Sequence, residues 1–152
     1  MRTTTRTPAR LLAFVPALAL VLVAGVARAE PVWQEADTLS GLVGSYSRAS
    51  TTPGPISYVT LGGTDGYHAQ GPYTRFFDVK GILTLQKGNY RAIANNPAVG
   101  AIIVFEDEHG LDREAWFIVG VRRDPLGRRI TAMKLQPSEG DGASIILYRV
   151  GL

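Results

Sequence analysis

From residue 44 onward, apolar and polar positions alternate at close to every second residue, and short turn-forming clusters break the pattern. That period belongs to half-buried strands, and no stretch sustains the 3.6-residue repeat of a helix. The alternation predicts strands over 44–49, 57–62, 66–71, 80–86, 89–95, 99–106, 114–123, 128–136 and 143–150. Between them, Gly62-Gly63-Thr64-Asp65-Gly66 and Gln86-Lys87-Gly88-Asn89 offer the positive φ that hairpins need. Asn95-Asn96-Pro97 and Asp124-Pro125-Leu126-Gly127 are turns in which proline fixes φ. Ser138-Glu139-Gly140-Asp141-Gly142 closes the last hairpin, and 72–79 reads as a looser connection. Ahead of the strands, residues 30–43 form a lead-in in which Asp37-Thr38-Leu39-Ser40 suits a capped helical turn.

A short repeat runs through the first half. Tyr58-Val59-Thr60-Leu61, a glycine turn and Gly66-Tyr67-His68-Ala69 match Ile82-Leu83-Thr84-Leu85, Gly88 and Tyr90-Arg91-Ala92, as though one hairpin were used twice. Two copies are too few for a solenoid. Eight or nine short strands with brief sequential connections predict an all-β domain over 44–152, a single antiparallel up-and-down β-barrel, with a β-sandwich as the alternative. Ile102-Ile103-Val104-Phe105 and Trp116-Phe117-Ile118-Val119 are apolar on both faces, so one face can line a barrel while the other meets the lead-in or a partner. In a meander, turns alternate between ends. The turns at 62–66, 86–89, 107–113 and 137–142 would then form an acidic end, and 72–79, 95–98 and 123–128 a basic one.

The first 29 residues have a different character. Arg2, Arg6 and Arg10 precede an apolar run, Leu11 to Val26, which is broken by Pro16 and ends in Ala27-Arg28-Ala29. A basic start, a short apolar stretch and a small-x-small site describe a secretory signal peptide cleaved after Ala29. The run is shorter than the roughly 20 residues of a membrane span. The expected destination is the periplasm or the medium, without stable membrane insertion after cleavage. Cleavage also changes the charge. The whole chain has 16 basic and 13 acidic residues, a formal +3, but the four arginines of residues 1–29 leave with the signal. The remainder has 12 basic residues against 13 acidic, so the basic excess is no argument for nucleic acid. With no cysteine, disulfide scaffolds, thiol nucleophiles and Cys-based zinc sites are excluded.

At Leu39-Ser40-Gly41-Leu42-Val43-Gly44-Ser45-Tyr46 the chain resembles the opening of lipocalin-like (calycin-type) β-barrels, such as small bacterial secreted ones. Those barrels begin with a helical turn and a Gly-x-Trp on the first strand; here Gly44-x-Tyr46 stands in that place. They also place a late arginine over that aromatic, and Arg149 is the matching position. The chain departs from the pattern in lacking the tryptophan and a helix after the last strand. Its Thr64-Asp65-Gly66-Tyr67 also comes too early for the family's Thr-Asp-Tyr loop. The resemblance implies a barrel that holds a small apolar ligand inside; no cofactor is expected.

Candidate chemistry is sparse. No serine lies in a Gly-x-Ser-x-Gly turn, and the two histidines, His68 and His109, fall in different hairpins, so no catalytic group is assigned and an enzyme is the less favoured reading. Asp107, His109 and Asp112 sit in an acid-rich segment that could hold a cation, although its spacing fits no standard metal motif and also suits a solvated loop. Tyr46, Tyr67 and Tyr90 offer flat walls with a hydroxyl, or simple filling of a narrow barrel. Arg75, Phe76 and Phe77 in the looser segment could form a lid at the barrel mouth, or equally fold back as core. The hairpin bearing Arg122, Arg123, Arg128 and Arg129 suits a polar loop paired locally with Asp124, or could capture an anion, giving a second reading as an interaction module for an envelope polymer or a protein.

Overall fold

In the computed structural model, residues 32–49 and 55–151 are described, so the expected leader at 1–29 lies outside the described residues. Eight strands follow one another: β1 (Gly44–Arg48), β2 (Ile56–Leu61), β3 (His68–Val79), β4 (Ile82–Asn96), β5 (Gly100–Asp107), β6 (Arg113–Arg123), β7 (Ile130–Pro137) and β8 (Ile145–Val150). Each pairs antiparallel with the next, and β8 returns to β1 through Ser45↔Val150 and Arg48↔Leu147, closing a barrel. That last pairing rules out the sandwich.

The strands differ from expectation in one region. Residues 72–79 are part of β3, and Gln86-Lys87-Gly88-Asn89 lies inside the 15-residue β4. Gly88 is there for close approach and not for a turn. It pairs with both Tyr73 and Asp107, and a Cβ on it would sit 1.9 Å from the carbonyl oxygen of Glu106. The turn is instead Lys80-Gly81, with φ of 53° and 82°, the two-residue positive-φ loop that matches strand twist. Asp78 fixes it by accepting the Gly81 N–H at 2.6 Å. The second copy of the sequence repeat is therefore one continuous strand and not a hairpin.

This reassignment swaps the ends of the barrel. The turns at 62–67, 97–99 and 124–129 share one end, while 80–81, 108–112 and 138–144 share the other. The first end is covered by the lead-in. Leu39 donates to Gly66 O at 2.7 Å, Gly41 to the Asp65 carboxylate at 2.8 Å, and Ile130 to Gly41 O at 3.2 Å, with Leu39 and Leu42 fully buried. Upstream, Gln34 bridges to Val121 on β6, and Trp33 packs 3.3 Å from where a Gly120 Cβ would be. The lead-in thus covers part of the outer face of β6, as the two-faced apolar pattern of that strand suggested. Of the expected division into an acidic and a basic end, 108–112 and 138–144 do share one end, and 97–99 and the arginine hairpin at 124–129 the other; the 62–66 turn with Asp65 changes sides, to the covered end, and the Lys80-Gly81 turn lies at the acidic end.

The interior is filled by alternate residues from all eight strands. Trp116, Tyr46, Tyr90 and Phe105 are its largest fully buried side chains, set among Ala69, Ala92 and Ala94. Large beside small is how a barrel of about eight strands fills its interior. At the mouth end, β4 outruns its neighbour. Pairing with β5 starts at Gly88↔Asp107, so the first residues of β4 pair with β3 alone, and Ile82, Leu83 and Leu85 are exposed there.

Candidate functional site: the barrel mouth

The side chain that stands out is Arg75. It lies on the inward row of β3 with Ala69 and Tyr73, and it is 3% exposed, the one charged residue in the core of the described residues. Removing a guanidinium from water costs several kcal/mol unless it is paired. Here three rings surround it, at 5.0 Å to Phe105, 5.4 Å to Phe77 and 5.8 Å to Tyr73. Its Nε donates to Oε1 of Gln86 at 2.6 Å, and the Gln86 amide donates onward to Asp112 at 3.1 Å. Its Nη1 is 2.5 Å from Oε2 of Glu114. That contact has ion-pair distance but not hydrogen-bond geometry, so Nη1 is buried without a true acceptor.

Arg75 is the floor of a cavity of about 250 Å³ whose walls include Ile56, Phe77, Arg113 and Glu114. Its lining mixes apolar Pro55, Ile56 and Phe77 with charged Asp112, Arg113 and Glu114. Beside the guanidinium, the Tyr73 hydroxyl is buried and has no partner among the described residues. Burial pushes this phenol above its ordinary value, while Arg75 pulls it back. Tyr73 also meets Phe105 edge-on at 4.9 Å.

The other residues read from the sequence are dispersed. Phe76 points to the opposite face from Arg75 and Phe77, where it packs 6.3 Å from Tyr58, so the expected lid is not a loop and does not hold both phenylalanines. Tyr67 precedes β3 at the covered end, half exposed, against His68 at 5.0 Å. Tyr90 is deep inside, donates to Gly62 O at 2.9 Å, and is pushed up to about 12 by burial. Tyr46 is buried under Arg149 at the covered end, and desolvation raises its pKa strongly. Only Arg75 and Phe77 of the six meet at the mouth.

The four arginines of the β6–β7 hairpin do not act together. Arg122 stacks on Trp33 at 4.4 Å, and Arg123 donates to Ser40 O at 2.8 Å and Thr38 O at 2.6 Å, so both hold the lead-in. Arg128 and Arg129 have exposed side chains, and their backbone N–H groups bind Asp124 at 2.6 and 3.2 Å. In the 108–112 turn, the Asp107 carboxylate accepts Leu111 N–H at 2.7 Å and Asp112 N–H at 3.0 Å. These backbone donors, Asp112 first, hold its pKa below the usual range. His109 is exposed beside Glu108 at 3.6 Å. Asp107 therefore shapes the turn, and no cluster of three metal-ligating side chains occurs among the described residues.

Sequence reasoning missed Tyr73, Gln86, Phe105 and Glu114. Read as one strand, 68–79 would have placed Tyr73, Arg75 and Phe77 on a single face; Gly71-Pro72 hid that continuity. No protein-family model matches the chain, and no curated protein or solved structure matches it.

Proposed function

We propose that the protein is a secreted, lipocalin-like binding barrel that holds a small, partly apolar ligand at its mouth, over Arg75. The observation that supports this reading is a buried guanidinium at the floor of an accessible cavity with an apolar wall. Small-molecule sites set placed polar groups beside apolar surface, and this recess is lined by Arg75, Asp112, Arg113 and Glu114 together with Pro55, Ile56 and Phe77. The filled interior argues for binding at the mouth and not deep inside. The engagement of Arg122 and Arg123 by the lead-in argues against the arginine hairpin as a four-cation docking surface. The test is native mass spectrometry of the protein purified after export by its own leader, with extraction and identification of whatever is bound. A stoichiometric small molecule, lost on Phe77→Ala, is the expected result. A persistently clean mass, with no mouth-residue perturbation in a small-molecule screen, would reject it.

A further inference from the structure

Resting on that reading, we infer that the ligand is a small organic carboxylate whose head group takes the place of Glu114 on Arg75. A guanidinium has five N–H donors in a planar fork that fits a carboxylate through two parallel hydrogen bonds. Arg75 uses Nε on Gln86, while Nη1 is buried against Glu114 without hydrogen-bond geometry. Its protein carboxylate is close but makes no aligned hydrogen bond, and the cation is left with unused donor capacity.

Glu114 is also the displaceable member of the pair. Its side chain is 38% exposed, against 4% for Arg75, so it can swing into water at little cost while the guanidinium stays caged. An incoming carboxylate would be the better acceptor in a drier place. The neighbours narrow the class further. Ile56 and Phe77 give an apolar wall for an organic body, which an inorganic anion would not use. Arg75 and Arg113 are balanced by Asp112 and Glu114, so the lining has no net positive charge to hold a dianion such as a phosphate monoester. A cationic ligand is disfavoured because Arg75 already fills the ring cage of Tyr73, Phe77 and Phe105. At about 250 Å³ the cavity falls below the roughly 300–1,000 Å³ of sites for drug-sized molecules, so the body is short.

The experiment compares acids with their uncharged twins: hexanoate with hexanamide, and phenylacetate with phenylacetamide. They are titrated into isotopically labelled protein by NMR, following the Arg75 Nε–H and the Ile56 and Phe77 amides. We expect each acid to bind more than about tenfold tighter than its amide. Glu114→Gln removes the competing charge at a half-exposed position and should tighten the acids roughly two- to fivefold while leaving the amides unchanged. In Arg75→Met/Glu114→Gln the acid preference should disappear and amide binding persist. Equal binding of acid and amide at the mouth would overturn the carboxylate inference and leave the binding barrel standing. Unchanged or weaker acid binding in Glu114→Gln would overturn the displacement of Glu114. Failure of all four probes to perturb the mouth would overturn the inference, and the identity of any extracted ligand would decide separately on the proposed function.

Discussion

Arg149 lies over Tyr46, its guanidinium carbon 5.0 Å from the ring centroid and its Nη2 donating to the phenol oxygen at 2.8 Å. The same side chain donates to Ile130 O at 2.7 Å, to Val43 O at 3.0 Å and to Gly41 O. It thereby joins β8, β7 and the lead-in. Gly44 makes this possible, because a Cβ there would stand 2.1 Å from Nη1 of Arg149. The Gly-x-aromatic motif at the start of β1 therefore has a steric reason. Tyr46→Phe deprives both Leu42 O, which accepts the phenol at 2.6 Å, and the guanidinium of a partner. Urea unfolding should show a loss of about 1–3 kcal/mol. Arg149→Lys should lose more, since one ammonium cannot span the same carbonyls.

Gly88 and Gly127 separate two reasons for glycine. Gly88→Ala sets a methyl against the β5 backbone and should cost about 3 kcal/mol or more, with altered β4 and β5 amide shifts. Gly127→Ala meets open space but keeps φ at 69°, and should cost only about 1–2 kcal/mol. Similar losses in the two variants would show that β4 and β5 do not approach closely at Gly88.

The six tyrosines should ionise in separate waves on an absorbance titration. Tyr58, whose phenolate is favoured by hydrogen bonds from Ser45 and Thr60, should ionise first. Tyr46, Tyr73 and Tyr90 are held neutral by burial. Because their pKa values are raised in the fold, the stability linked to them is complete below about pH 10 and is lost at higher pH, for Tyr90 as pH rises through about 12. Tyr90→Phe should be less stable at neutral pH, having lost its bond to Gly62, yet show a flatter decline above pH 10. An unchanged alkaline slope would exclude Tyr90 as a source.

Arg123→Ala should release the lead-in. Hydrogen exchange should then accelerate at the amides of Gln34, Leu39 and Gly41 while the strands of the barrel stay protected. Arg128→Ala and Arg129→Ala, with exposed side chains, should leave exchange at those amides unchanged. Equal effects from all four arginines would contradict the division of labour between them.

The meander was legible in the sequence, because period-2 alternation and turn chemistry are local signals; the placing of Arg149 over Tyr46 was expected only from the lipocalin-like resemblance. The hairpin of β3 and β4 was not legible. A Gly-Asn pair at 88–89 has the composition of a turn, and only the approach of β5 reveals that Gly88 is needed for space. Misplacing that one turn moved every later loop to the wrong end. It also hid the shared face of Tyr73, Arg75 and Phe77. Of the candidate site, Arg75 and Phe77 were readable as residues of interest, but their buried setting depends on Phe105, Gln86 and Glu114 from other strands. No local pattern brings those together.

The lead-in reaches the covered end from Gln34, and β8 finishes at the same end, where Gly151 and Gly41 share one recess. The described chain therefore enters and leaves on the side away from Arg75. A surface, tag or fused domain joined at either of these ends would hold the barrel by its base, with the Arg75 mouth turned outward.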